Sequence, residues 1–147
     1  MKFINYDENR LFIDETSILD PVENQVQIEI HSSGVNRADL LQKKGHYPPP
    51  KGESEILGLE CAGIISKIGN SSHRFKVGDK VCAILGGGGY AEFVNVDERQ
   101  VMPLPSNMTL LEGGALSETI LTVYENIFNV SKFKKGETIL IHGGSSG

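Results

Sequence analysis

The sequence has little that could stabilise a small fold through covalent bonds or metal ions. It contains only two cysteines, Cys61 and Cys82, among its 147 residues. Neither cysteine belongs to a Cys-x-x-Cys pair, which argues against a structural zinc site. Both cysteines lie in apolar stretches, so we predict two buried thiols in a reducing cytoplasm.

The sequence also lacks the features that mark two other classes of protein. No apolar run approaches the about 20 residues of a membrane span, and residues 1–7 do not contain the apolar stretch of a signal peptide. The formal net charge of −5 provides no basic surface for nucleic acid. We therefore expect a cytoplasmic globular protein that binds neither membranes nor nucleic acid.

What is present is a series of short apolar segments separated by glycine-containing turns. Residues 25–31 alternate between apolar and polar side chains, which is typical of a half-buried strand. Further strands are predicted over residues 59–68, 81–85, 90–96 and 100–104. Asn36 is suited to cap a short helix through Lys44, with Gly45 as its C-terminal stop. Together these elements predict a small barrel or sandwich. The glycine run 86–89 lies between two predicted strands, and we interpret it as a flexible hairpin connection.

The pattern changes near residue 115, where we place a domain boundary. Residues 109–115 and 118–128 read as helical, and the second segment has an apolar helix face. The continuous apolar run 138–142 is typical of a parallel strand that is covered on both faces. A glycine-rich loop follows it directly, as in sites where backbone N–H groups approach a pyrophosphate. We therefore predict a first domain over 1–115 and the beginning of a dinucleotide-binding domain over 116–147.

Several segments in unbroken order resemble the quinone oxidoreductase (zeta-crystallin-like) branch of the medium-chain dehydrogenase/reductase superfamily. The resemblance implies a mixed α/β fold, with a GroES-like β-barrel domain followed by the truncated start of a Rossmann domain. It also implies an active site in the cleft between the two domains. The matching segments are Val35–Gln42, Gly45–Pro50, Ile56–Gly63, Val77–Val81, Gly87–Glu92 and Gly136–Gly147.

The sequence departs from the zinc-dependent alcohol dehydrogenases, a neighbouring branch of that superfamily. Those enzymes have a cysteine ligand where Asn36 stands and a histidine ligand where Leu59 stands, and they carry a four-cysteine cluster for structural zinc. Leu59 cannot bind a metal ion, and Asn36 with Glu60 would be too few ligands. The resemblance therefore implies a reductase that uses no zinc.

By this resemblance, the protein is an NADPH:quinone oxidoreductase-type enzyme, although NADH remains possible as the cofactor. It would transfer hydride to a quinone or another activated carbonyl or enone, and the full-length protein would form a homodimer. The alternative is a non-catalytic structural or binding module of the same fold. We expect the 147-residue chain to be an incomplete part of a longer protein and to be inactive alone.

The resemblance also assigns roles to individual residues, each with a simpler structural alternative. Tyr47 and Asn36 would lie at the reacting centre, but Tyr47 could instead pack on the proline run and Asn36 could serve only as a helix cap. The Thr122 hydroxyl would contact the nicotinamide carboxamide, or bond to its own helix backbone. Asp39 is interpreted as a first-turn helix charge or as half of an ion pair with a neighbouring arginine or lysine. The residues expected to bind the cofactor are Asn36, Thr122, Gly143, Gly144, Ser145, Ser146 and Gly147.

Overall fold

The computed structural model describes residues 1–144, and all structural statements below refer to that part of the chain. Strands predominate up to residue 103, and helices follow. The elements are β1 (Lys2–Tyr6), β2 (Leu11–Glu15), β3 (Gln25–Ser32), α1 (Arg37–Lys43), β4 (Glu60–Ile68), β5 (Lys80–Ile84), β6 (Phe93–Asp97), a 3₁₀ turn (Glu98–Gln100), β7 (Val101–Pro103), α2 (Leu110–Gly113), α3 (Ser117–Tyr124) and a π-helix (Glu125–Val130).

The main sheet has five strands in the order β6-β3-β4-β5-β7. All neighbouring strands are antiparallel. The pairing of β3 with β4 is interrupted by two register shifts, between Gln27 and Ile28 and between Ile30 and Ser32. Such irregularities increase the local twist of a sheet, and here they curl it around its own apolar face. The predicted β-rich architecture is confirmed.

One face of the curled sheet forms the hydrophobic core. The core side chains come from β3, β4, β5, β6 and β7, so every strand of the sheet contributes to one cluster. The fully buried members include Val26, Ile28, Cys61, Ile65, Val81 and Ala83. Burying a side chain of this size contributes about 1.5–3 kcal/mol, which makes this cluster the main source of stability for the domain.

The outer face of β3 is less exposed than its alternating sequence predicts. Gln27 lies on that face, yet only 2% of its surface is accessible. Its Nε2 donates hydrogen bonds to the Leu19 carbonyl at 2.9 Å and to Asn95 Oδ1 at 3.1 Å. The segment before β3 therefore covers part of the sheet, and Gln27 is tolerated there because its polar atoms are paired.

Two strands at the start of the chain were not predicted. β1 and β2 form an antiparallel pair in which Lys2 lies opposite Glu15. The pair is joined to the main domain where the Ile4 N–H donates to the Tyr90 carbonyl at 2.8 Å and where Phe3 bridges Ala91. The strands were missed because polar residues interrupt the apolar alternation on both.

The glycine run 86–89 is not a hairpin, because β5 and β6 are not neighbours in the sheet. The run instead carries the chain from one side of the sheet to the other. Gly88 and Gly89 are buried and donate backbone hydrogen bonds to the Ile56 and Gly58 carbonyls, at 2.7 and 2.9 Å. The prediction of a flexible hairpin is therefore wrong, because these bonds tie the loop to the segment before β4.

The helical segments are confirmed, with α3 continuing directly into the π-helix. The predicted strand over 138–142 is not formed, because none of the described residues provides a strand to pair with it. Its side chains remain largely exposed, Leu140 to 80%. Among residues 1–144, no helix combines the length and the apolar character needed to cross a membrane.

Candidate functional site

Asn36 stands in the loop between β3 and α1, at the point where the helix begins. It is the N-cap of α1: its backbone N–H donates to Asp39 Oδ2 at 2.7 Å and its carbonyl accepts the Asp39 N–H at 3.1 Å, while its side chain makes no capping hydrogen bond. Its side-chain Nδ2 donates a hydrogen bond to Glu60 Oε1 at 2.8 Å. Asn36 therefore occupies the predicted N-cap position, although its side chain does not make the capping hydrogen bond. The Glu60 bond adds something that capping does not require, namely a fixed orientation of the side-chain amide.

Glu60 is the first residue of β4, and it is only 2% exposed. Its Oε1 accepts the Asn36 bond, and its Oε2 accepts a bond from the backbone N–H of Glu118 at 3.0 Å. The Cα of Gly34 lies against the carboxylate, where a larger side chain would collide with it. One buried carboxylate thus joins the loop before α1 to the first turn of α3.

Asp39 and Tyr90 form a second buried polar contact beside Asn36. Asp39 Oδ2 accepts the Asn36 backbone N–H at 2.7 Å and lies 3.0 Å from the Tyr90 hydroxyl. That hydroxyl is also 3.1 Å from the Gly34 carbonyl, so its proton serves one acceptor at a time. Burial first, and then the Asp39 carboxylate, raise the pKa of Tyr90 above its ordinary range.

These contacts replace the ion pair that was one interpretation of Asp39. Its partners are an amide N–H and a phenol rather than an arginine or lysine. Its second oxygen, Oδ1, is buried without a hydrogen-bond partner among the described residues. A buried acceptor without a partner is unfavourable by about 1–3 kcal/mol, so this position is one where the fold retains a polar group at the expense of stability.

Thr122 lies on α3, one turn after Glu118. Its side chain is exposed, and its Oγ1 donates to Glu118 Oε1 at 3.4 Å. The alternative in which the hydroxyl bonds to its own helix backbone is therefore not observed. Since the Glu118 N–H is bonded to Glu60, a continuous chain of contacts runs from Asn36 through Glu60 to the helix that presents Thr122.

The remaining predicted site residues are not part of this network. Tyr47 follows α1 in a loop and is 48% exposed. Gly143 has a φ of +67° and no atom within 4 Å of the position a Cβ would take. At Gly144 the Ile141 Cγ2 lies 3.4 Å from the corresponding position, so the turn is most open at Gly143. Ser145, Ser146 and Gly147 lie outside the described residues.

The two cysteines are buried, as predicted. Burial raises the pKa of Cys61 to about 12. Cys61 lies opposite Ala83 and Cys82 opposite Ala62 in the β4–β5 ladder, so the two thiols point to opposite faces of the sheet. Within residues 1–144, no three histidine, cysteine, aspartate or glutamate side chains converge as a metal site would require.

Glu60 and Tyr90 are the site residues that sequence reasoning missed. Both stand inside segments that carry the family resemblance, but neither was assigned a role. A signal was available for Glu60, because a single acidic residue inside the apolar stretch 56–65 is costly to bury unless it is hydrogen-bonded. For Tyr90 the sequence offers no such signal, since tyrosine is common in strands.

Comparison with known proteins agrees with this fold. The family described as the alcohol dehydrogenase GroES-like domain matches residues 22–106, which include the sheet, Asn36, Glu60 and Tyr90. The chain therefore belongs to this family, and the GroES-like fold implied by the resemblance is confirmed. The matched region falls inside the first predicted domain, 1–115, whose boundary remains a prediction.

Curated relatives include two kinds of protein. The chain is 34% identical to mouse quinone oxidoreductase over 128 residues, which cover 86% of this chain and 39% of that protein. It is also 34% identical to the reducing polyketide synthase PKS1 of Cochliobolus heterostrophus over 123 residues, which cover 84% of this chain and 5% of that protein. The chain thus spans less than half the length of either relative.

Similar solved structures include an enoyl reductase and a quinone oxidoreductase. CurK enoyl reductase superposes with a TM-score of 0.81 at 26% identity, covering 92% of this chain and 45% of that one. Escherichia coli quinone oxidoreductase complexed with NADPH superposes with a TM-score of 0.77 at 29% identity, covering 88% and 41%. These similarities place the chain among medium-chain dehydrogenase/reductase proteins, without separating quinone reductases from enoyl reductases.

Proposed function

We propose that the complete protein carrying this sequence is a nicotinamide-dependent reductase that transfers hydride to a quinone or another activated carbonyl or enone. The observation that carries the proposal is the buried contact chain from Asn36 through Glu60 to α3. It holds a polar amide of the GroES-like part next to the helix that presents Thr122. Polar groups fixed in this way suit a site that positions reactants.

The residues of this chain fit a nicotinamide dinucleotide in two places. The turn at Gly143 has no atom within 4 Å of the position a Cβ would take, so a phosphate could approach the backbone N–H groups there. Asn36 uses one of its two amide hydrogens on Glu60, which leaves a second donor for an oxygen of the substrate or cofactor. When bound, the cofactor would supply the hydride. We propose that Asn36, Thr122, Gly143, Gly144, Ser145, Ser146 and Gly147 bind it.

For the substrate side we propose Asn36 and Tyr47. The Asn36 amide would hydrogen-bond the developing negative charge, and the exposed phenol of Tyr47 would contact the substrate carbonyl. Neither residue needs to change its protonation state for this role. We favour NADPH as the cofactor, in line with the quinone oxidoreductase that was solved with NADPH, and keep NADH as the alternative.

A zinc-free mechanism is chemically consistent with such substrates. Reduction of a simple carbonyl gives an alkoxide, whose conjugate acid resembles water with a pKa of about 15.7. Reduction of a quinone gives a phenoxide-like product, closer to tyrosine at about 10. The difference of about 6 pKa units corresponds to about 8 kcal/mol of anion stabilisation that a metal ion does not have to supply. We propose that the protein uses no zinc.

Three further proposals concern the complete protein. We propose that a Rossmann domain begins near residue 116 and continues beyond residue 147, that the protein is a homodimer, and that it is cytoplasmic. The exposed apolar run 139–141 supports the first of these, because a parallel strand normally buries both faces.

The test is a cofactor-oxidation assay with the complete protein. NADPH and NADH are offered separately with a panel of quinones and enones, with and without a chelator. We expect NADPH consumption with at least one quinone or enone and no effect of the chelator. Loss of activity on chelation would contradict the zinc-free mechanism. A folded protein that consumes neither cofactor would instead favour the non-catalytic binding module.

A further inference from the structure

Glu60 accepts two hydrogen bonds from two different parts of the chain while remaining almost completely buried. Its partners are the Asn36 side chain at 2.8 Å and the Glu118 backbone N–H at 3.0 Å. Both partners are donors, and each is met by a different oxygen of the carboxylate. The ion pairs found among residues 1–144 all lie elsewhere, at the surface. The charge of Glu60 is therefore met by N–H groups and by the first turn of α3.

A carboxylate accepts hydrogen bonds but does not donate them, which has a consequence for Asn36. The Asn36 amide has a nitrogen end that donates and an oxygen end that accepts. Glu60 can bind only the nitrogen end, so it selects one of the two orientations of this amide. The second hydrogen of Nδ2 then points away from Oε1 and stays available for a ligand oxygen.

The surroundings hold the Asn36 loop in place around this contact. The Ser33 hydroxyl donates to the Gly89 carbonyl at 2.5 Å, and the Tyr90 hydroxyl lies 3.1 Å from the Gly34 carbonyl. These bonds fix the backbone on both sides of Gly34, against which the Glu60 carboxylate packs. With the backbone fixed, rotation of the side-chain amide is the freedom that Glu60 removes.

We infer that Glu60 is a positioning residue that orients the Asn36 amide for hydride transfer and couples it to the helix that carries Thr122. The inference rests on the proposed reductase function. Glu60 does not contact substrate or cofactor in this arrangement, and acts through Asn36 and Glu118. Partners that orient metal ligands change affinity or activity by about 10–100-fold when replaced, and we expect a loss of the same order here.

The test replaces Glu60 by glutamine in the complete protein. Glu60→Gln keeps the size of the side chain, but replaces one acceptor oxygen by an N–H₂ donor. That donor must face either the Asn36 amide or the Glu118 N–H, and both of these are donors themselves. The Asn36 amide can relieve that conflict by turning over, which presents its oxygen where its nitrogen was. We expect kcat/KM with the best quinone or enone to fall about 10–100-fold, while the melting temperature shows that the variant is folded.

A second readout is the NMR signals of the Asn36 side-chain amide in ¹⁵N-labelled protein. These signals report the orientation of the amide, which a general loss of stability would not change. We expect these signals, assigned by their loss in Asn36→Asp, to shift in Glu60→Gln. The matched control is Glu98→Gln, a second buried glutamate whose donors are Ser72, His73 and Arg74. It undergoes the same chemical change away from Asn36, and should alter neither the Asn36 signals nor kcat/KM.

The outcomes separate this inference from the proposed function. If the wild type is active and folded Glu60→Gln has a kcat/KM within twofold of it, the inference alone is overturned. An equal loss of kcat/KM in Glu98→Gln would also overturn the inference. A wild type that oxidises neither NADPH nor NADH overturns the proposed function and the inference with it. If Glu60→Gln does not fold, Glu60→Asp takes its place. Its shorter carboxylate cannot reach both partners, so activity within twofold of wild type would again contradict the inference.

Discussion

Gly58 offers a test of how tightly the glycine loop is packed against the segment before β4. Its φ is +106°, and a Cβ added there would lie 2.6 Å from the Tyr90 nitrogen and 2.7 Å from Gly89. Those atoms belong to the backbone, which cannot rotate away as a side chain would. Gly78 is the matched control, because its φ of +94° is similar but no atom lies within 4 Å of its added Cβ.

The magnitudes follow from this difference. At either position alanine would adopt a disfavoured backbone conformation, which costs about 1–3 kcal/mol. Part of this is offset by about 0.4–1 kcal/mol, because alanine restricts the unfolded chain. Gly78→Ala should therefore lower the free energy of unfolding by about 0–2.6 kcal/mol. Gly58→Ala adds the collision with a packed backbone, which costs about a further 1–3 kcal/mol.

The assay is equilibrium unfolding in urea, followed by far-ultraviolet circular dichroism because the chain contains no tryptophan. The quantity compared is the difference in free energy of unfolding between the two variants, from which the shared backbone strain cancels. We expect Gly58→Ala to be the less stable by about 1–3 kcal/mol. Equal stabilities would refute the close approach of residues 58 and 90. They would also contradict the packing of the glycine run 86–89 against the segment before β4.

Three further predictions concern thiols, acidity and metal. Burial raises the pKa of Cys61 to about 12, and Cys82 is also buried. Neither cysteine should react with a thiol reagent at pH 8 in the folded chain, and both should react once the chain is unfolded. Rapid labelling of the folded chain would contradict their burial. Hydrogen bonds from Ser72 and from backbone N–H groups lower the pKa of Glu98 below its ordinary value of 4.5. The ionised carboxylate therefore stabilises the fold above pH 4.5, and this stabilisation is lost as the pH falls through the lowered pKa. The melting-temperature difference between wild type and Glu98→Gln should accordingly shrink from pH 7 to pH 3, whereas exposed Glu55→Gln should show no such trend; a difference independent of pH would count against the carboxylate as its source. Elemental analysis of the purified complete protein should find far less than one zinc ion per chain, and stoichiometric zinc would reverse the proposed mechanism.

Local patterns predicted those elements whose structure depends on local interactions. The helix after Asn36 was predicted from a capping residue and a terminal glycine, and Gly45 does adopt a φ of +73°. Strand β3 was predicted from its alternation. These features depend on backbone preferences and on which side chains are apolar, and both are visible in the sequence.

The errors concern what covers a surface and which strands are neighbours. Gln27 was placed on an exposed face because its sequence does not show that Leu19 and Asn95 bind it. The run 86–89 resembles a hairpin turn because strand order is not encoded locally. The run 138–142 has strand-like composition, yet a strand also needs a neighbour. Glu60 was considered only as a zinc ligand and rejected, and no other role was assigned because its pairing with Asn36 and Glu118 depends on the tertiary fold.

The position of β3 between β4 and β6 has a consequence for synthesis on the ribosome. The contact between Gln27 and Asn95 joins residues that are 68 positions apart. At translation rates of about 5–20 residues per second, β3 waits roughly 3–14 seconds for its second neighbour to be made. During that interval Val26 and Ile28 belong to a strand with an open edge, which is a template for pairing with other chains. The order of the strands therefore sets an interval during which this chain can pair with other chains.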